Sequence, residues 1–165
     1  MTPVTDRADH REGGVIMSWN DFYRRRDALD AVLRTAAPAA PLTFDRALFA
    51  TEDELLLALH YRWMQQLTGR LGVALENSDD DRVEIVTRTW RTLAAQQPVL
   101  RAVLDEHLTA TDAVEREQRL LALTAGLAEL SEPSDEITRV GAAFATLIRT
   151  GPDAPAQPRK LAKSA

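Results

Sequence analysis

Leu56, Leu59, Trp63, Leu67, Leu71 and Ala74 recur at steps of three and four residues. That spacing lines six apolar side chains along one face of a helix, and it cannot serve a strand, whose faces alternate at every residue. Thr51-Glu52-Asp53-Glu54 opens the stripe as a capping box. The threonine hydroxyl accepts from an amide of the first turn, Glu54 reaches back, and three carboxylates sit at the positive end of the dipole. Asn77 is a suitable stop. No segment of the 165 residues sustains period-two alternation.

Helical spacing repeats along the chain. A first helix is expected from Ser18, as N-cap, to Ala36, with Trp19, Phe22, Leu29, Val32, Leu33 and Ala36 on one side. Pro38 and Pro41 stop it, and a short helical turn fits near 43–49. A third helix starts at Asp79-Asp80-Asp81 and buries Val83, Val86, Trp90 and Leu93. Pro98 suits the first position of a fourth, with Val99, Leu100, Val103 and Leu104. Asp112 with Glu115 opens a fifth carrying Leu120, Leu123, Leu127 and Leu130. Ser134 caps a sixth, striped by Ile137, Val140, Phe144, Leu147 and Ile148 and ended by Gly151-Pro152. The expectation is an all-α fold: a single bundle of about six helices over 18–151. A disordered arm (1–17) and a proline-, alanine- and base-containing tail (152–165) flank it. Glu12-Gly13-Gly14-Val15-Ile16 reads as a translated ribosome-binding sequence, which points to Met17 as the natural start.

Helix six is apolar or small around most of its circumference, from Val140 to Ile148. A helix of that kind is covered on more than one side. It is either the central helix of the bundle or half of a homodimer interface formed by Val140, Phe144, Leu147 and Ile148.

Charge narrows the choice of partner. Residues 17–151 carry 15 of the 20 basic and 21 of the 25 acidic residues, a net −6. An acidic body repels the phosphate backbone, so no nucleic-acid partner is expected. Arg24-Arg25-Arg26 fans around its helix and reads as a solvated face paired with Asp21, Asp27 and Asp30. The longest apolar run, Leu55 to Leu59, is too short for a bilayer, and no leader opens the chain, so a cytoplasmic protein without a membrane partner is expected. Cysteine is absent, which excludes disulfides and thiolate chemistry.

The residues that could carry chemistry do not assemble into a reaction. His10 lies in the arm. His107 suits the C-terminal dipole of the fourth helix. His60 reads either as a hydrogen-bonded wall histidine or, facing a cavity, as a ligand or base. The residues three before His60 and His107 are Leu57 and Leu104, so the Glu-x-x-His ligands of a di-iron bundle are missing. No zinc helix or phosphate loop stands in for them. The spacing of Asp79-Asp80-Asp81 lacks the alternating ligands of a calcium loop. Gly69 and Gly72 read as a mid-helix pair permitting close helix approach. No cofactor, metal or catalytic activity is expected.

The run Phe49-Ala50-Thr51-Glu52-Asp53-Glu54-Leu55-Leu56 resembles the junction of tetracycline-repressor-type (TetR) regulators, where Phe-x-Ser/Thr-Lys-Glu-x-Leu starts the ligand domain. Trp63, the acidic break at 79–81 and Gln96-Gln97-Pro98 are similar to that domain, and Tyr23–Ala36 resembles the family's first helix. Glu52 replaces the family's lysine. Only Ala37 to Leu48 separate the first helix from the junction, too few for the two helices and turn of a DNA reader. The resemblance therefore implies a sensor-like domain that has lost its DNA reader. A non-enzymatic regulatory domain is expected, binding a small apolar ligand or a protein partner. His60, Trp63, Met64, Leu67, Trp90 and Phe144 would form the pocket wall. The alternative is a structural interaction or dimerisation module with no pocket.

Overall fold

The computed structural model describes residues 12–152, with 12–18 as backbone only. The described residues form six helices and no strand: α1 (Glu12–Thr35), α2 (Glu52–Glu76), α3 (Arg82–Gln96), α4 (Pro98–His107), α5 (Thr111–Thr124) and α6 (Ser134–Thr150). The all-α bundle read from the sequence is the fold. The tail beyond Pro152 and His10 lie outside the described residues.

The strongest local signals act as their chemistry dictates. Thr51 Oγ1 accepts from the Glu54 amide at 3.1 Å, and Glu54 Oε2 reaches back to the Ala50 amide at 2.9 Å. The Asp81 carboxylate accepts from the Val83 and Glu84 amides and starts α3. Pro98 takes the first turn of α4, where a missing N–H leaves no bond unmade. Between α1 and α2 the chain makes turns without a helix, and the turn expected near 43–49 is a single one closed on the Asp45 carbonyl.

Four boundaries and faces differ from expectation. The α1 backbone is helical back to Glu12, so Ser18 is interior instead of capping and the expected arm shortens; nothing in Val15-Ile16-Met17 breaks a helix. The inward face of α1 begins only at Leu29 and Val32, because Trp19 and Phe22 precede the bundle's edge and remain exposed. At α6 the cap position belongs to Pro133, whose ring holds φ at −57° in extended backbone, so Ser134 becomes the first helical residue. α5 ends at Thr124, leaving Leu127 and Leu130 outside it and exposed. The cause is Gly126 at φ +70°, which completes a Schellman closure with Leu127 N–H on Ala122 O and Gly126 N–H on Leu123 O.

α2 is the axis of the bundle, touching α1, α3, α4 and α5, while α6 packs on α5 and α3. Ala122 clusters with Ile137, Arg119 bonds Thr138 and Gln118 meets Gly141. This descending register makes α5 and α6 an antiparallel hairpin. A Cβ at Gly141 would lie 2.1 Å from the Gln118 carbonyl oxygen, so glycine sets the closeness of that pair. Gly69 and Gly72, expected to permit close approach, have nothing within 4 Å of a would-be Cβ; they face open space on α2. α6 is not the central helix: it packs on α5 and α3, burying Phe144 and Ile148 in the chain's own core, with Val140 half-buried and Leu147 exposed on its outer face. Phe144 and Ile148 are therefore not available to a second subunit. No helix among the described residues is long and apolar enough to cross a membrane.

Candidate functional site

Two indole N–H groups in the core need an acceptor, since a buried unpaired donor costs about 1–3 kcal/mol. Trp63 of α2 and Trp90 of α3 meet edge to face, 5.7 Å between centroids. Both donate to one oxygen, Glu117 Oε1, at 3.0 and 2.9 Å. Glu117 comes from the Ala113–Glu117–Leu121 face of α5, which is the buried one. An ionised carboxylate there requires a cation, and α4 supplies Arg101. Its Nη1 donates to both Glu117 oxygens at 3.2 and 3.3 Å. Its guanidinium covers the Trp63 ring at 4.7 Å and the Trp90 ring at 5.8 Å, so charge neutralisation and cation–π attraction coincide.

The network continues outward. Arg101 Nη2 also lies 2.8 Å from Asp105, one turn along α4, and Asp105 accepts from Arg149 of α6 at 2.6 Å. Arg149 in turn stands 5.2 Å over the Trp90 ring. Five of the six helices thus meet at one charged cluster. Burial pushes the Glu117 carboxyl up, but the His60 imidazole, the Arg101 guanidinium and the two indoles outweigh it and hold it down at about 2.

His60 is the odd member. It is 2% exposed, and its Nε2 stands 3.7 Å from Glu117 Oε2, beyond hydrogen-bonding distance. Among the described residues Nε2 is the one buried side-chain nitrogen or oxygen without a hydrogen-bond partner. The same imidazole lines an open groove of about 700 Å³ on the other side, with Leu57, Tyr61, Met64, Gln65, Thr68 and Gly69 of α2 and Arg116 of α5. Leu57 and Tyr61 are exposed there, and the Tyr61 hydroxyl accepts from Gln65 at 2.9 Å. Arg116 stands outside the ion pairs of α5, where Arg119 holds Glu115 and Arg101 holds Glu117.

The six residues expected as a pocket wall divide between these two places. His60 and Met64 line the groove. Trp63, Leu67, Trp90 and Phe144 belong to one packed core instead of facing a void, because the indoles and Arg101 fill the space between helices. His107 does sit in the last turn of α4, with Nδ1 3.6 Å from Glu52. Arg24 and Arg26 lie beside Asp21 and Asp27, but Arg25 pairs with Glu54 and Asp30 with Arg62.

Glu117 and Arg101 were missed in the sequence because charged residues on helices ordinarily face water. A usable signal existed. Ala113, Glu117 and Leu121 share a face at steps of four, and two tryptophans in apolar stripes demand an acceptor that the stripes do not contain. Among the described residues no group of three or more His, Asp or Glu side chains converges to hold a metal ion. No protein-family model, curated protein or solved structure matches the chain.

Proposed function

We propose that this chain is a non-enzymatic, sensor-like helical domain that takes a small apolar ligand with an anionic end into the groove between α2 and α5. The observation that carries the reading is the double position of His60, which lines the groove and stands 3.7 Å from Glu117 with Nε2 unpartnered. An occupant pressed on the imidazole changes its distance to the carboxylate that joins five helices. Leu57, Tyr61 and Met64 supply apolar contact, and the guanidinium of Arg116 supplies the charge for an anionic end. The groove's volume falls within the range of about 300–1,000 Å³ typical of small-molecule sites. The resemblance of Phe49–Leu56 to TetR-type junctions supports the same reading.

Decanoate is a suitable probe, having an apolar chain and one carboxylate. Native mass spectrometry is expected to find one decanoate per chain. Binding should be lost in Tyr61→Glu and Arg116→Glu and kept in Arg139→Glu, which lies on α6 beside Glu136. Absence of binding, or binding indifferent to the groove substitutions, overturns the proposal. A second reading, an interaction module without a pocket, is favoured by the packing of Trp63, Leu67, Trp90 and Phe144 into a continuous core.

A further inference from the structure

The two nitrogens of the His60 imidazole stand in different chemistry. Toward the core, Nε2 lies 3.7 Å from Glu117 Oε2, too far for a hydrogen bond, and has no other partner. Nδ1 also has no partner among the described residues, yet it is not one of the fully buried unpaired atoms, so it is the nitrogen open to the groove that the ring lines. Glu117 is ionised, its carboxyl held down at about 2. An anion beside Nε2 selects the neutral ring that carries its hydrogen there, which leaves the Nδ1 lone pair directed at the groove.

That lone pair decides how an anionic occupant can be held. A carboxylate laid against it is repelled. One proton on Nδ1 converts the contact into a charge-assisted hydrogen bond and gives an imidazolium with an anion at each nitrogen. In the empty groove the same cation would have only Glu117, whose charge is already shared with Arg101 at 3.2 and 3.3 Å. A buried charge is costly unless paired, so the second anion is what makes the protonated ring favourable. The groove lining contains no carboxylate, and the occupant has to bring it.

The other groups around the ring are accounted for. Arg116 of α5 lines the groove, and Arg101 of α4 lies behind Glu117. α3 brings the uncharged indole of Trp90. On the α1 side Asp30 is taken by Arg62, which projects about 200° around α2 from His60. On α2 itself the Tyr61 hydroxyl accepts from Gln65.

We propose that His60 couples occupancy of the groove to the uptake of one proton: a carboxylate seats against Nδ1, the ring takes a proton from solvent, and the imidazolium closes Nε2 onto Glu117. This rests on the groove being the ligand site and adds how its occupancy is read. The Nδ1 lone pair forms the new N–H bond, the buffer acid loses its proton, and no other bond changes. Closure supplies a hydrogen bond between α2 and α5 that the empty groove lacks.

Calorimetric titration of the full chain with decanoate at about pH 8, where free imidazole and free carboxylic acid are both deprotonated, tests it. Heats measured in HEPES and in Tris, whose ionisation enthalpies differ, give the number of protons bound. Close to one per decanoate is expected, and affinity should fall about tenfold per pH unit on the alkaline side, corresponding to 1.4 kcal/mol. His60→Gln should take up none, with circular dichroism to check its helices. Long-range ¹H–¹⁵N spectra of the imidazoles read the same proton in the parent chain, whether or not the variant folds: at saturation both His60 nitrogens should move to imidazolium positions. Decanoate bound without uptake, uptake that persists in His60→Gln, or a His60 ring that stays neutral at saturation overturns the coupling and leaves the groove a ligand site. Absence of decanoate binding overturns both.

Discussion

At Glu117 the decisive balance is between desolvation and partners. A buried carboxylate alone would be raised toward neutrality, yet His60, Arg101 and the two indoles keep this one ionised, with a carboxyl held at about 2 against an ordinary 4.5. Because the folded value is the lower one, the stabilisation is complete above about pH 4.5 and is lost as pH falls through about 2. Stability should decline by on the order of 3 kcal/mol across that window. Glu117→Gln is expected to lower stability at pH 7 by about 3 kcal/mol, since it leaves Arg101 buried beside a neutral amide. It should also flatten the acid limb, and denaturant melts at pH 7, 4 and 2.5 check both effects. An acid limb as steep in the variant as in the parent would place the lost charge elsewhere. Ala39 poses a smaller problem, at φ +56° in the turn closed from Ala40 N–H to Ala37 O. Pro38 supplies the preceding corner, and the position calls for glycine. Ala39→Gly is expected to raise stability by up to about 1 kcal/mol, where an ordinary Ala→Gly would lower it.

Between elements, glycine means different things at different positions. Gly141→Ala would drive a methyl into the Gln118 backbone and force α5 and α6 apart. A loss of about 3 kcal/mol is expected, at the upper end of overpacking. Gly72→Ala, on an open stretch of α2, should instead stabilise by about 0.5–1 kcal/mol, and thermal melts of the two variants separate the cases. Sequence alone could not tell these glycines apart, since close approach is a property of the neighbour. The helices themselves were legible where the start signal is chemical: the Thr51 box, the Asp81 cap and the Pro98 first turn all mark true boundaries. Reading failed where a boundary depends on backbone alone, as at Gly126 and Pro133. The inward face of α2 followed from spacing, and so did that of α3 except at its start, where Ile85 is buried and the expected Val83 only half-buried. The face of α5 did not, because its central buried residue is charged and its leucine spacing runs past the true end of the helix.

Over the whole molecule, the candidate site is layered, with a polar cluster inside, an open groove outside and His60 between them. Of the pocket residues anticipated from the sequence, His60 and Met64 reach the groove, Trp63 and Trp90 serve the cluster beneath it, and Leu67 and Phe144 pack in the core. Periodicity assigns a residue to the interior, but only the meeting of helices decides whether that interior is filled. The chain carries three tryptophans, two bonded to Glu117 and one exposed on α1, so their indole N–H signals report separate places. The most direct measurement is the ¹H–¹⁵N spectrum of those three groups as decanoate is added. The signals of Trp63 and Trp90 should shift saturably while that of Trp19 stays in place, and in His60→Ala the shifts should vanish although decanoate still binds. Binding that moves the groove amides of α2 but leaves both buried indoles fixed would contradict the link from groove to cluster.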